Sequence, residues 1–585
     1  PKEASGSRTT LSRRVDGGAG APPLAALTDS AAEWRRCGGL SRGPAAAGRA
    51  IFRQHIGDEV KGVAPVFRSF VRYCALVALA IGLLASVPAA QAGPAACDNR
   101  VNNTHAKLLE CVTLEGVREH QAAFQAIADA HGGTRASGTP GYDASVDYVV
   151  QWMTAAGYNV STHSFPFLFV PPPILQQLTP VGATYESGTF TGTGYGEVTA
   201  AVIPVDIQLG LGNTSTSGCE PSDFAGFPAG GIALIQRGSC NFSVKALNAE
   251  AAGASAVIIF NQGDTAAQDR NDLIIGTLGG PDVVAIPVVG ASYADGVALA
   301  QPGTTAFVDV DEPEDVLVKN VLAETKSGDP NNVIMVGAHL DSVIRGPGIN
   351  DNGSGSAAIL EVAEQMAKVK PRNKVRFAWW GAEESGLLGS IAYVNSLSDA
   401  ELERITLYLN FDMVGSPNHV FFIYDGDDSD GVGSGPGPAG SAQIEDVFER
   451  FYTDRGIPYK GTDFSGRSDY GPFIAVGIPS GGLFTGAEGI KTAEEAAIWG
   501  GTAGQQYDPC YHLACDTFAN NNDYALDVNA DAIAFATLQY AMNTNDINGA
   551  RGKGNFPNIR PVDEADIAAA LGSSGGLHDH ELPAK

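Results

Sequence analysis

Positive charge is scarce in this chain: 37 Lys and Arg stand against 65 Asp and Glu over 585 residues, a formal net charge of −28. That deficit excludes nucleic acid and anionic membrane surfaces as partners, since both are held by clustered cations. The basic charge that exists is concentrated early, where residues 1–92 carry 12 basic and 6 acidic side chains and leave the remainder at −34. Methionine is also rare, with 5 in all and none before Met153. The reading frame is therefore expected to start at a non-methionine codon near Val63 or Val66. The apolar run at 73–88 is short for a membrane helix, which needs about 20 residues, and it contains Pro88. Arg68 and Arg72 precede it and Ala90-Gln91-Ala92 follows, the pattern of a secretory signal peptide cut near Ala92. Pro94 stands where a lipid-attachment signal at Cys97 wants an aliphatic residue. The expected product is secreted and extracellular, with no membrane contact after cleavage. Residues 1–92, with the signal at about 63–92, are set aside from the fold.

Cysteine is sparse too, with 8 residues, of which Cys37 and Cys74 fall in the discarded leader. The other six lie in close pairs: Cys97 and Cys111, Cys219 and Cys240, Cys510 and Cys515. Proximity favours local pairing, and an exported chain meets the oxidising conditions that make disulfides persist.

What is present is enough for two or three domains, with 44% hydrophobic and 17% charged residues. Residues 105–130 and 142–156 carry helical spacing, separated by the turn cluster Ser137-Gly138-Thr139-Pro140-Gly141. Residues 165–315 are rich in Gly, Thr, Val and Pro, with short β runs around one helix near 243–252, and read as a small β-rich insert. From 316 onward strands alternate with helices. Strands are expected at Val333–Gly337, Lys374–Trp380, Thr406–Phe411 and Ser480–Phe484, with helices at Ser354–Lys368, Leu387–Val394, Ala442–Tyr452 and Val528–Met542. Such alternation predicts an α/β fold, a mostly parallel twisted sheet flanked by helices. The segments 97–164 and 316–545 would form this domain, and 546–585 a loose tail.

The chemistry gathers at the ends of the strands. The first runs into His339-Leu340-Asp341, the second into Glu383-Glu384, the third into Asp412, and the helix between the first two is entered through Asn350-Asp351-Asn352. In open α/β sheets the carboxyl ends of strands form the ligand site. His339, Asp351, Glu384, Asp412 and a later histidine have the right chemistry for two zinc ions. His512 is the best remaining candidate, because a Cys510–Cys515 bridge would hold its loop rigid. With only five ligands, one carboxylate must bridge the two ions. Glu383, beside a ligand, would serve as general base on the attacking water.

At these residues the chain resembles the secreted two-zinc aminopeptidases of the co-catalytic zinc exopeptidase family. The resemblance rests on His339-Leu340-Asp341-Ser342, Gly348-Ile349-Asn350-Asp351-Asn352-Gly353, Trp380-Gly381-Ala382-Glu383-Glu384-Ser385-Gly386-Leu387, Asn410-Phe411-Asp412-Met413 and Tyr511-His512. It implies a zinc exopeptidase fold, with His339 and Asp412 on one ion, Glu384 and His512 on the other, and Asp351 between them. It further implies Asp341 orienting His339 from behind, Tyr511 stabilising the oxyanion, and Arg467 and Asp469 on a substrate-side loop. Asp527 and Asp531, at i and i+4, stand where some relatives hold calcium. The insert resembles a protease-associated domain through Ile232–Phe242 and Ala251-Ala252-Gly253-Ala254, which implies a lid or access role. The substrates implied are peptides with a free N-terminus, acted on by a monomer. Glutaminyl cyclisation and carboxypeptidase action on the same fold are the alternatives, the latter needing a cation such as Arg345 or Arg467. A non-catalytic receptor module is the least favoured reading, because all five ligands and the base are present.

Overall fold

The computed structural model describes residues 97, 99–550 and 555–562. The leader, the signal run and most of the tail lie outside them. Two eight-stranded sheets organise the described residues.

The larger sheet is built from β1 (Asn159–Phe169), β2 (Glu314–Glu324), β3 (Asp329–His339), β4 (Asn373–Trp380), β5 (Ile405–Phe411), β6 (Phe422–Tyr424), β7 (Lys460–Thr462) and β8 (Ser480–Phe484). Its spatial order is β1-β2-β4-β3-β5-β8-β6-β7. The four central strands β4, β3, β5 and β8 run parallel, whereas β1, β2 and β6 join antiparallel. The sequence pattern is clearest in β3. Ile334, Val336 and Ala338 enter one core and Val333 and Met335 the other, so the strand is apolar throughout because both faces are covered.

One face is covered by α1 (Leu114–Ala130), α2 (Pro140–Ala156), α3 (Gly353–Met366), α5 (Ser441–Thr453) and α7 (Asp523–Met542). The other carries α4 (Leu388–Ser396) and α6 (Gly471–Ala475), whose Tyr393 and Phe473 pack on Trp380 and Tyr408. Helix α2 begins where its sequence says it should: Thr139 accepts from the Tyr142 amide, Pro140 fills the first turn, and Gly157 closes the helix at φ 91°.

Three expectations need correction. The helix expected over 105–130 is two helices, because Thr113 adopts an extended φ of −133° and caps α1, with Cys111 tied to Cys97 just before it. Strand β1 runs on to Phe169 and pairs along its whole length with β2, so the main sheet reaches past residues 165 and 315. The tail is packed where it is described: Phe556 is buried edge-on to His105, and the Pro557 carbonyl accepts from Gln539.

The second sheet takes strands from Ile174 to Val310. Its core strands Ile232–Gln236 and Ala256–Phe260 are fully buried and parallel, with helices Phe242–Ala251 and Tyr293–Leu299 beside them. The second of these helices was not legible in the sequence. The insert is stapled by Cys219–Cys240, and the loop of His512 by Cys510–Cys515.

Candidate metal centre

The carboxyl ends of β3, β4 and β5 converge on one point. His339 is the last residue of β3, Glu383 and Glu384 follow β4, and Asp412 follows β5. Asp351 reaches the same point from the N-terminus of α3. The route is prepared by glycine: a Cβ on Gly355 would lie 2.2 Å from the Phe411 carbonyl oxygen, so only glycine lets α3 press against the end of β5. Asn352 then joins the two elements, donating from Nδ2 to the Phe411 carbonyl and accepting from the Met413 amide. The backbone takes the left-handed region at Ala382 (φ 53°), Met413 (φ 51°) and His512 (φ 57°), each next to or at a chemical group. Non-glycine residues rarely adopt it, and such outliers cluster at functional sites.

The distances define two nests of ligand atoms sharing one carboxylate. His339 Nε2 lies 3.2 Å from Asp412 Oδ1 and 3.3 Å from Asp351 Oδ1. His512 Nε2 lies 3.2 Å from Asp351 Oδ2 and 3.0 Å from Glu384 Oε2. Each oxygen of Asp351 therefore faces a different imidazole. Glu383 Oε2 stands 3.9 Å from His339 Nε2. The donor set suits divalent zinc, and Glu384 Oε1 is buried with no hydrogen-bond partner, a ligand atom left over.

Electrostatics follow from burying so many acids together. Burial raises the Glu383 carboxyl well above its ordinary range and that of Glu384 to about 7, the second with help from Asp351. Burial opposes charge on both imidazoles, yet the carboxylates win. Asp412 and Glu383 hold His339 well above its usual value, and Asp351 and Glu384 raise His512 to about 10. Burial pushes Asp351 upward too, but hydrogen bonds from the two histidines bring it below the usual carboxylate range. The metal-free centre thus stores protons on its nitrogens.

Other expected residues fall near the site in different ways. Asp341 is buried, but its carboxylate accepts from the Glu383 amide at 3.3 Å, while His339 Nδ1 is closer to the Asp341 carbonyl (3.2 Å) than to its carboxylate (3.6 Å). Tyr511 stacks on His512 with ring centroids 3.8 Å apart, and burial beside Asp351 and Glu384 holds its phenol protonated. Asp469 is fully buried, which raises its carboxyl to about 7 against the pull of His339. Its neighbour Ser468 donates to Asp412 Oδ2 at 2.7 Å. Arg467 is exposed and paired with Glu488, and Arg345 is paired with Glu186 of the insert. Asp527 is exposed on α7 and Asp531 half-buried. Among the described residues these two join no cluster of three or more converging ligand atoms.

Sequence reasoning missed the frame behind the ligands. Asp516 accepts from the amides of Asn350 and Asp351, both at 2.9 Å, and Asp508 accepts from the Asn350 side chain at 2.7 Å. Arg135, fully buried, donates to the carbonyls of Leu340, Pro347 and Gly348, so one guanidinium ties both ends of the loop that runs from Asp341 toward Asp351. The adjacency of Asp516 to the Cys510–Cys515 loop was the one available signal.

Comparison with known proteins identifies the family. The sequence model of peptidase family M28 matches residues 320–537, and that of the PA domain matches 198–299. An aminopeptidase of Pseudomonas aeruginosa is 54% identical over 450 residues, covering 75% of this chain and 82% of that protein. Leucine aminopeptidase 2 of Trichophyton rubrum is 49% identical over 330 residues, 56% of this chain and 65% of its own length. Among solved structures, a zinc aminopeptidase from Bacillus subtilis matches with a TM-score of 0.51 at 25% identity, covering 76% of this chain and 99% of that one. A doubly covered sheet with imidazoles and carboxylates gathered at its carboxyl edge is, in this company, the framework of a metal-dependent peptidase. The chain belongs to peptidase family M28, and its insert is a PA domain.

Proposed function

We propose that the protein is a secreted aminopeptidase that removes single residues from the free N-terminus of peptides, with two zinc ions at the carboxyl edge of the main sheet. The observation that carries this reading is the placement of Asp351, one oxygen 3.3 Å from His339 and the other 3.2 Å from His512. A carboxylate that turns one oxygen to each histidine would be able to serve two cations acting on one bond. In the reading, His339 and Asp412 would hold one ion and Glu384 and His512 the other. When bound, the ions lower the pKa of water and polarise the scissile carbonyl.

The protein groups do the rest. The Glu383 carboxylate lies 3.9 Å from Nε2 of His339, and its amide is fixed by the Asp341 carboxylate. It takes the proton from the attacking water and delivers it to the leaving amine, so one residue serves as base and then acid. The Tyr511 hydroxyl, kept protonated by its surroundings, donates to the oxyanion that forms on the carbonyl oxygen. Carboxypeptidase action is less well supported, because Arg345 and Arg467, the cations considered for a terminal carboxylate, are each paired with a glutamate. Secretion is supported by the three disulfides and the signal pattern of the sequence.

The test is a panel of peptides, free and N-acetylated, with released products identified. Stepwise loss of N-terminal residues from free peptides only is expected. Conversion of N-terminal glutamine peptides to cyclised products, without hydrolysis of aminoacyl anilides, would replace the peptidase by a cyclase. Glu383→Gln should keep its zinc and lose turnover by a factor of about a thousand or more; an active variant would remove Glu383 from the mechanism.

A further inference from the structure

A second group of side chains able to bind metal lies between helices that cover the main sheet. His120 on α1 meets Glu361 and Glu364 on α3, and one donor atom from each lies within 4.8 Å of the other two. Glu361 and Glu364 are three residues apart, so one face of α3 presents both. His120 and Glu361 are buried, at 2% and 3% exposure, while Glu364 is partly exposed. The imidazole is held from behind: its Nδ1 bonds the Tyr148 hydroxyl of α2 at 2.8 Å, and Trp152 stands edge-on to the ring. With the proton on Nδ1, Nε2 offers its lone pair, and Glu364 Oε2 is 3.9 Å away. No hydrogen bond reaches Nε2 from the described residues. Glu361 is similarly underused. Its Oε1 accepts long bonds from the Thr113 amide (3.4 Å) and Gln365 (3.3 Å), and Oε2 accepts none from the described residues. Room for this carboxylate is made on α1, where a Cβ on Gly116 would lie 2.4 Å from Glu361 Cδ.

Buried donors without partners are rare, because each gives up its hydration for nothing in return. Here an imidazole nitrogen and a carboxylate oxygen of two buried residues, both in that condition, converge with a third donor. A cation would satisfy all three. We propose that His120, Glu361 and Glu364 form a further metal site that takes a divalent, zinc-class cation and ties α1 to α3. One nitrogen and two carboxylates suit zinc, with water completing four ligands, and fall short of the six to eight oxygens that calcium takes. Donors about 2.1 Å from one zinc ion lie about 3.4 Å apart, so the partly exposed Glu364 closes by about half an ångström. Burial keeps His120 uncharged, pushing it down to about 4, and a metal-bound imidazole must be neutral. Burial, then the neighbouring Glu364, raises Glu361 to about 8, and the entering cation displaces that proton. Glu361 stands eight residues beyond the first residue of α3, about 12 Å along the helix, so this site and the centre that includes Asp351 share no ligand.

Elemental analysis after equilibrium dialysis against zinc tests the site as a difference. The unaltered protein should retain about one zinc ion more per chain than Glu364→Gln or His120→Gln. That difference holds however many ions the sheet-edge centre takes, so it stands or falls apart from the aminopeptidase reading. Glu364 is partly exposed, so its variant keeps the fold, and circular dichroism checks both variants. Saturating zinc should raise the melting temperature of the unaltered protein by about 2–5 °C more than that of Glu364→Gln. In crystals grown with zinc, an anomalous peak should lie about 2.0–2.1 Å from His120 Nε2. Equal zinc content in the unaltered protein and a folded Glu364→Gln overturns the proposal. So does retention of calcium in place of zinc at this position, since the donor set would then have been misread.

Discussion

Zinc uptake by the metal-free protein should displace protons, and the geometry fixes roughly how many. A metal-bound imidazole must be neutral. His339 is held protonated far above its usual value by Asp412 and Glu383, and His512 is raised to about 10 by Asp351 and Glu384, so each yields one proton at pH 7. Burial also raises the carboxyls of Glu384 and Glu383, so any proton they carry adds to that release. The expected release is therefore at least about two protons per chain at pH 7. The sign follows from the upward shifts: the metal-free centre keeps its protons through neutral pH and gives them up only as pH approaches the raised values. Apparent zinc affinity must then rise with pH, about tenfold per unit for each displaced proton and about 100-fold for the two histidines together. Titration calorimetry in buffers of different ionisation enthalpy counts the protons directly. His512→Ala should lower the count, and with it the slope of log affinity against pH, by about one. A release below one proton, or one unchanged in His512→Ala, would mean that the two imidazoles are not both metal ligands.

Two further outcomes concern the frame. Arg135→Lys keeps the buried charge but cannot reach three carbonyls at once, and should weaken zinc retention against a chelator by about tenfold while the protein still folds; Arg135→Met leaves those carbonyls without a donor and should lower stability by about 3–5 kcal/mol in a denaturant melt. Glu445 is buried, and burial, then Glu449, raises its carboxyl from the ordinary 4.5 to about 9. Because the folded value lies above the unfolded one, its contribution is intact below about 4.5 and is lost as pH rises toward 9, up to about 3 kcal/mol by pH 7. Glu445→Gln can still accept from the Gly426 amide and should flatten the fall in melting temperature between pH 5 and 9; an unchanged pH dependence would show that Glu445 is ionised in the fold.

The chemical groups of the centre were legible because each is marked locally. A strand apolar on both faces must end at a loop, and His339, Glu383, Glu384 and Asp412 stand at such ends. Asp351 was legible for a similar reason, at the entry to a helix whose Gly353 and Gly355 announce a close approach. What holds those groups in place left far weaker marks. Asp508 meets Asn350 across 158 residues of chain, and Asp516 meets the Asp351 amide across 165. Apart from the cysteine pair beside Asp516, neither aspartate differs in its local sequence from one in any polar turn.

Arg135 shows the reason most clearly. Its partners are the main-chain carbonyls of Leu340, Pro347 and Gly348, groups that every residue carries and no residue type announces. A side chain that recognises another side chain leaves two marks in a sequence. One that recognises backbone leaves a single mark, and an arginine among Gly, Thr, Ala and Ser reads as a surface turn. The same asymmetry governs Asp516, whose partners are two amides. The candidate ligands of this site are thus written in residue types, whereas their positions are set by carbonyl and amide directions that exist only after β3, α3 and the Cys510–Cys515 loop have met. Substitutions in that frame should accordingly act through metal retention and geometry, leaving the identity of the chemical groups untouched.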